Sequence, residues 1–149
     1  MAYVWRVETE QECVGLYRAK DADGRWAVLA ADEACGSKVS LLSHPGPLND
    51  DGLVDAWTCI LETEGYHDWR FGFMSLDQYQ DWCCLPEHRK ALAEFRTGRG
   101  ERLVLRRYEV PDDAFAGGDT QAVFRVTDAV PVEDLTPDYC DPLALAAAA

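Results

Sequence analysis

Four polar side chains in this chain are of the kinds that hold a nucleotide: Arg6, His44, Ser75 and Gln121. An arginine fixed on a strand can clamp a pyrophosphate through charge-assisted, bidentate hydrogen bonds. A serine hydroxyl can hold a ribose or the nicotinamide end of a dinucleotide. A glutamine amide can bond a ribose hydroxyl, but it cannot act as a base or balance an oxocarbenium charge. His44 precedes Pro45 in a long polar loop, the usual setting of a binding residue. Each also has a plainer reading. Arg6 can pair with an acid, Ser75 can cap a helix, and His44 can be an ordinary loop residue. Gln121 and Arg125 can lie on the solvent side of an edge strand.

The sulfur and imidazole groups offer a second chemistry. Cys84 and His88 are four apart, a spacing that helices use for metal ligands, with Cys83 adjacent. Pro86 lies between them and breaks or begins a helix there. His44 and His67 are not at partner spacing. The six cysteines (Cys13, Cys35, Cys59, Cys83, Cys84 and Cys140) include no Cys-x-x-Cys pair. They read as reduced, semi-buried small hydrophobes, with no metal site. A reactive thiol at Cys83-Cys84 would have only His88 and Arg89 as basic neighbours. The sequence contains no nucleophile elbow, phosphate-binding glycine loop or calcium loop.

The overall charge narrows the partners. The chain carries 27 Asp+Glu against 14 Lys+Arg, a net charge of -13 over 149 residues. Such an excess repels nucleic-acid backbones and anionic membranes, and it points to a partner with a basic surface or to simple solubility. The start of the chain lacks a basic region followed by an apolar stretch, and no apolar run is long enough to span a bilayer. The expected location is therefore the cytoplasm.

These groups must be positioned by a small number of elements. Residues 2–8 alternate as a strand, with Tyr3, Trp5 and Val7 on one face and Val4, Arg6 and Glu8 on the other. Residues 14–20 and 25–30 flank Asp21-Ala22-Asp23-Gly24 and read as a hairpin. Residues 36–52 read as loop, and 53–61 as a helix with Leu53 and Trp57 on its apolar stripe. Residues 69–74 form a short strand. Ser75 and Gln78 then make a capping box for a helix burying Leu76, Tyr79 and Trp82. A second helix starts at Pro86 and stops at Gly98 or Gly100. Residues 102–110 and 120–127 are strands. The pattern predicts one α+β domain over residues 1–130, a mostly antiparallel sheet with helices clustered in the middle of the chain. Residues 131–149 read as an acidic, frayed tail rich in proline and alanine.

Placed in order, these pieces resemble the ADP-ribosyltransferase-like fold. The pieces are Val4-Trp5-Arg6-Val7-Glu8, then Phe71-Gly72-Phe73-Met74-Ser75 entering a helix, then the strand over residues 103–110, and finally Asp119-Thr120-Gln121-Ala122-Val123-Phe124. The same blocks, with the His44-Pro45 loop, also resemble a group of small phage and prophage proteins. The resemblance implies NAD as a cofactor, with Arg6 on NAD, Ser75 in the pocket wall and a catalytic acid at position 121. The chain has Gln121 there instead, and the nearby acids Glu109 and Asp119 are not at the matching place. The expectation that follows is a small acidic accessory protein of phage type. It would modulate a host protein by binding its basic surface in the host cytoplasm, as an anti-restriction or anti-CRISPR nucleic-acid mimic does. Asp50, Asp51, Glu62, Glu64, Asp112, Asp113, Glu133 and Asp134 would supply the surface. The alternative is an NAD-dependent ADP-ribosyltransferase or an NAD-binding protein with a cleft lined by Arg6, His44, Ser75 and Gln121.

Overall fold

A computed structural model describes residues 1–36 and 46–139. His44 and Cys140 lie outside the described residues. The alternating N-terminal segment is β1 (Ala2–Thr9), paired antiparallel with β3 (Leu103–Val110), so that Arg6 stands directly opposite Arg106. β3 also pairs with β6 (Val130–Leu135), giving a sheet of order β1-β3-β6. A second sheet has the order β2-β5-β4, from β2 (Trp69–Gly72), β4 (Phe115–Gly117) and β5 (Ala122–Arg125). Both sheets are antiparallel throughout.

The sheets meet where Trp5 and Phe73 exchange backbone hydrogen bonds of 2.8 and 2.7 Å. Gly72 permits this approach, because a Cβ there would sit 2.5 Å from the Trp5 carbonyl oxygen and from Val4 Cγ1. The two faces of β1 then enter different cores. Trp5 and Val7 pack with Phe73, Tyr79, Trp82 and Leu92 beneath the helices, whereas Val4 packs with Tyr108, Val110 and Phe124. A third cluster joins Leu53 and Trp57 to Val123.

The helices are α1 (Ala27–Ala34), α2 (Val54–Leu61), α3 (Leu76–Trp82) and α4 (Pro86–Glu94). Ser75 caps α3 by accepting from the Gln78 amide at 3.1 Å. The reciprocal arm of the expected box reaches one residue further, with Gln78 Oε1 accepting from the Met74 amide at 2.8 Å. α4 begins at Pro86 but ends at Phe95, where the backbone turns extended, ahead of the glycines. Those glycines instead serve a hairpin turn between Arg96 and Arg102, with Gly100 at φ 78°.

Three parts differ from the sequence expectation. The Asp21–Gly24 turn exists, but it is followed by α1 rather than a hairpin strand, and only Lys20 and Trp26 bridge across it. An alanine-rich stretch has strong helical preference, and Ala27, Val28 and Ala31 give it one buried face. Residues 130–135 form an edge strand on β3 rather than a frayed tail, so the folded domain continues past residue 130. Pro131 is tolerated because an edge strand has one unpaired side. Finally, Gln121 is buried and so is Val123, because α2 covers the face of β5 that the alternation assigned to solvent.

Candidate functional site

The face of β1 that carries Arg6 also carries Glu8, two residues on, and both are buried. Glu8 Oε2 accepts from Arg6 Nε at 2.7 Å, and Oε1 accepts from Arg106 Nη1 at 2.9 Å and from the Tyr108 hydroxyl. Arg6 Nη1 donates to the Phe71 carbonyl at 2.7 Å. Arg106 forks onto Asp134 of β6 at 2.8 and 3.2 Å, and donates to the Glu10 carbonyl at 2.8 Å and to Cys13 Sγ at 3.3 Å. Burial lowers the Arg6 guanidinium from its ordinary value against the pull of Glu8. Burial, with Glu8 next, raises the Tyr108 phenol. Every oxygen of Glu8 is matched, which is the condition for tolerating a buried charge. Gly15 leaves room for this cluster, since a Cβ there would lie 2.6 Å from Arg6 Nη2.

The remaining nucleotide candidates sit on adjoining segments. Ser75 follows β2, and Gln121 immediately precedes β5, whose Ala122 pairs with Gly72. Gln78 links them, donating from Nε2 to the Gly118 carbonyl at 3.1 Å while the Gly118 amide donates to the Gln121 carbonyl at 2.8 Å. The Arg6 guanidinium is turned into the Glu8 and Phe71 contacts. The Ser75 hydroxyl is spent on its cap, and Gln121 is buried. Two adjoining cavities of about 310 and 260 Å³ open elsewhere, at the Thr9–Leu103 end of the first sheet, and none of these three residues lines either.

Several acids named from the sequence have internal work. Asp50 is buried and accepts from the amides of Gly52, Asp119 and Thr120 at 3.0, 2.8 and 2.9 Å, and from the Thr120 hydroxyl at 2.9 Å. Burial pushes this carboxyl up, but the four hydrogen bonds together outweigh it and hold it below the ordinary carboxylate range. Asp134 pairs with Arg106, Glu133 with Arg107 and Asp112 with the N-terminal amine. Sequence patterning had no means to separate these from free acids, because every partner but the Gly52 amide is more than 20 residues away.

Exposed acids outside any ion pair stand at several places among the described residues, Asp23, Asp77, Asp81, Glu87, Asp113 and Asp119 among them, and one run of them follows α2. Asp55 and Glu62 are seven apart, two turns along the exposed face of α2, and Glu64 opens the following 3-10 turn (Glu64–Asp68). Residues 61–68 are all exposed. Among the described residues, none of Asp51, Asp55, Glu62 and Glu64 is in an ion pair. Tyr66 and Phe71 stand exposed beside them, with Phe71 edge-on to Trp57 at 5.1 Å.

Cys35 and Cys83 are buried, and Cys13, Cys59 and Cys84 exposed; none of these is in a disulfide. Burial pushes the Cys83 thiol up to about 12, so it is inert at neutral pH. His88 is fully buried against Asp32 of α1 at 3.4 Å, whereas Cys84 is exposed. Among the described residues no three His, Cys, Asp or Glu side chains gather as a metal site, and no helix is long and apolar enough to cross a membrane.

Fold and surface together define a small α+β protein with a buried Arg6–Glu8–Arg106 network and an exposed acidic knuckle at the end of α2. The chain belongs to the Bacteriophage T4 Y00F protein family, whose model matches residues 1–138, from β1 to the turn after β6, and it is therefore a phage-type protein. No curated protein and no solved structure gives a significant match.

Proposed function

We propose that this is a phage accessory protein that modulates a host protein by binding its basic surface, through the acidic knuckle of α2 and the 3-10 turn after it. The observation that carries this reading is the placing of Glu62 and Glu64. Glu64 opens the 3-10 turn two residues beyond Glu62, and Glu62 is the C-cap of α2, where the helix dipole disfavours a carboxylate by about 0.3–1 kcal/mol. A merely solubilising acid gains nothing from that position, whereas a docking surface needs the charge there. Tyr66 and Phe71 supply the apolar contact that acids alone lack. Attraction between the knuckle and a basic surface speeds association and fades with salt. Anti-restriction or anti-CRISPR inhibition is the form of host modulation that this surface fits, with carboxylates standing where phosphates normally lie. The test is recovery of one host partner by the immobilised protein at low salt, its release at high salt, and its loss in the D55N/E62Q/E64Q variant.

A second reading keeps NAD as a ligand on an ADP-ribosyltransferase-like fold. What supports it is the Trp5–Phe73 bridge together with the Gly72–Ala122 pairing, which bring the segments bearing Arg6, Ser75 and Gln121 side by side. Arg6 would have to leave Glu8 to reach a pyrophosphate, which weighs towards the binding reading. Saturating NAD at 100 times its dissociation constant would stabilise the fold by about 2.7 kcal/mol in a thermal melt. No shift at millimolar NAD removes this second reading.

A further inference from the structure

We propose that the paired cavities at the Thr9–Leu103 end of the first sheet form a site for a small phosphate-bearing ligand of the size of a nucleoside triphosphate. The charge distribution singles them out. Among the described residues the exposed cationic side chains are Arg18, Lys20, Lys90, Arg96, Arg99 and Arg102, and all but Lys90 line these two cavities. In a chain of net charge -13, five of the six exposed cations among the described residues are drawn to one place. The cavities share Glu12 and Arg99, so they adjoin across that ion pair and its opening would join them into one groove.

The local chemistry already holds an anionic oxygen. The consecutive amides of Gln11 and Glu12 converge on Glu101 Oε1, the second at 2.9 Å, as the amides of an anion-binding nest do. Arg99 and Arg102 hold Glu12 and Glu10 in exposed ion pairs, the kind that yields readily to a better anion. Arg18, Lys20 and Arg96 have no carboxylate partner among the described residues; Arg96 donates only to the carbonyls of Ala93 and Phe95, and Lys20 lies over the Trp26 ring. The hairpin between Arg96 and Arg102 sets three arginines at a spacing of three; the Gly98 and Gly100 amides donate to the Lys20 and Thr97 carbonyls, so the arginine side chains are the hairpin's donors to a ligand. Ligand size follows from screening. Charges beyond about 8 Å are largely screened at physiological salt, so a compact triphosphate meets the five cations of the lining, displaces the carboxylates Glu10, Glu12, Asp21 and Glu101 beside them, and feels little of the surface beyond. A nucleic-acid strand running past it would meet the rest of an acidic surface.

The test is calorimetric titration of the full chain with tripolyphosphate, ATP and a single-stranded oligonucleotide, at low and high salt. Saturable binding of tripolyphosphate that weakens with salt is expected, together with a loss on the order of tenfold for each of R96A and R99A and no change for K90A. ATP binding as tightly as tripolyphosphate assigns phosphate alone, and ATP binding more tightly adds the nucleoside. Absence of tripolyphosphate binding, unchanged affinity in R96A/R99A, or an oligonucleotide preferred over both overturns the proposal. Should the arginine variants misfold, amide shifts on titrating the wild-type chain decide it: they must centre on Gln11, Glu12, Gly98 and Gly100.

Discussion

Arg6 and Arg106 face each other across the β1–β3 ladder and divide one carboxylate between them, Glu8 Oε2 at 2.7 Å from Arg6 and Oε1 at 2.9 Å from Arg106. Two like charges opposite each other in a sheet repel; here a buried anion between them reverses the sign. Removing that anion leaves two desolvated guanidinium groups. The E8A variant should therefore lose about 3–5 kcal/mol in urea unfolding, with E8Q losing less because it keeps hydrogen-bond acceptance on one oxygen. A loss below about 1 kcal/mol would show that the cluster is not what ties β1 to β3.

The glycines beside this cluster should separate two kinds of crowding. Gly15→Ala drives a methyl against Arg6 Nη2, a side-chain end held in place only by its partners, whereas Gly72→Ala drives one against the Trp5 carbonyl, which is backbone. Each should cost about 1–3 kcal/mol in the wild-type background. With R6M the cost of G15A should vanish, while that of G72A should remain. Equal costs in both backgrounds would contradict the assigned contacts.

Much of this arrangement was legible in the sequence, and the losses have physical causes. The alternation from Tyr3 to Glu8 gave β1 and its two faces, and Ser75 with Gln78 gave the start of α3. α1 was hidden by Asp23-Gly24, whose strong turn signal implies a hairpin although the next eight residues prefer helix. β6 was hidden because proline and acids read as tail, and what anchors it, the ladder to β3 and the pairing of Asp134 and Glu133 with Arg106 and Arg107, lies more than 20 residues away in sequence. Of the site, Arg6 was correctly set on a strand face, and pairing with an acid was foreseen for it. Glu8 as the partner was within reach, since residues two apart share a strand face. The Arg96–Arg102 hairpin passed unnoticed because its residues were read as the end of α4 and the start of β3.

Asp50 makes stability depend on acid. Its folded carboxyl lies below the ordinary value, so the folded state binds its proton more weakly than the unfolded chain does. The stabilisation is present above the unfolded carboxylate value of about 3.9 and is lost as pH falls through the lower folded one. Thermal melts should show D50N less stable than wild type at neutral pH, and the gap should narrow below about pH 4. A gap that is constant with pH would contradict the assignment of Asp50 as an ionised clamp on residues 118–120.

Ser75 serves α3 as a cap, and S75A should cost about 1 kcal/mol in denaturant unfolding. S75G should cost only a few tenths, because glycine leaves the cap position open to water. An S75A loss of several kcal/mol would point to a role of the hydroxyl beyond the Gln78 amide.

The acidic knuckle is the central claim, and its charges are tested most directly by measuring stability and partner binding together in D55N/E62Q/E64Q. Removal of the Glu62 charge from the C-cap of α2 should leave the fold as stable or slightly more stable, by up to about 1 kcal/mol, offset in part by losing Asp55 and Glu64 from the first turns of α2 and of the 3-10 helix. The same protein should lose its salt-sensitive host partner. A variant that binds that partner as the wild type does, at every salt concentration, would contradict the account.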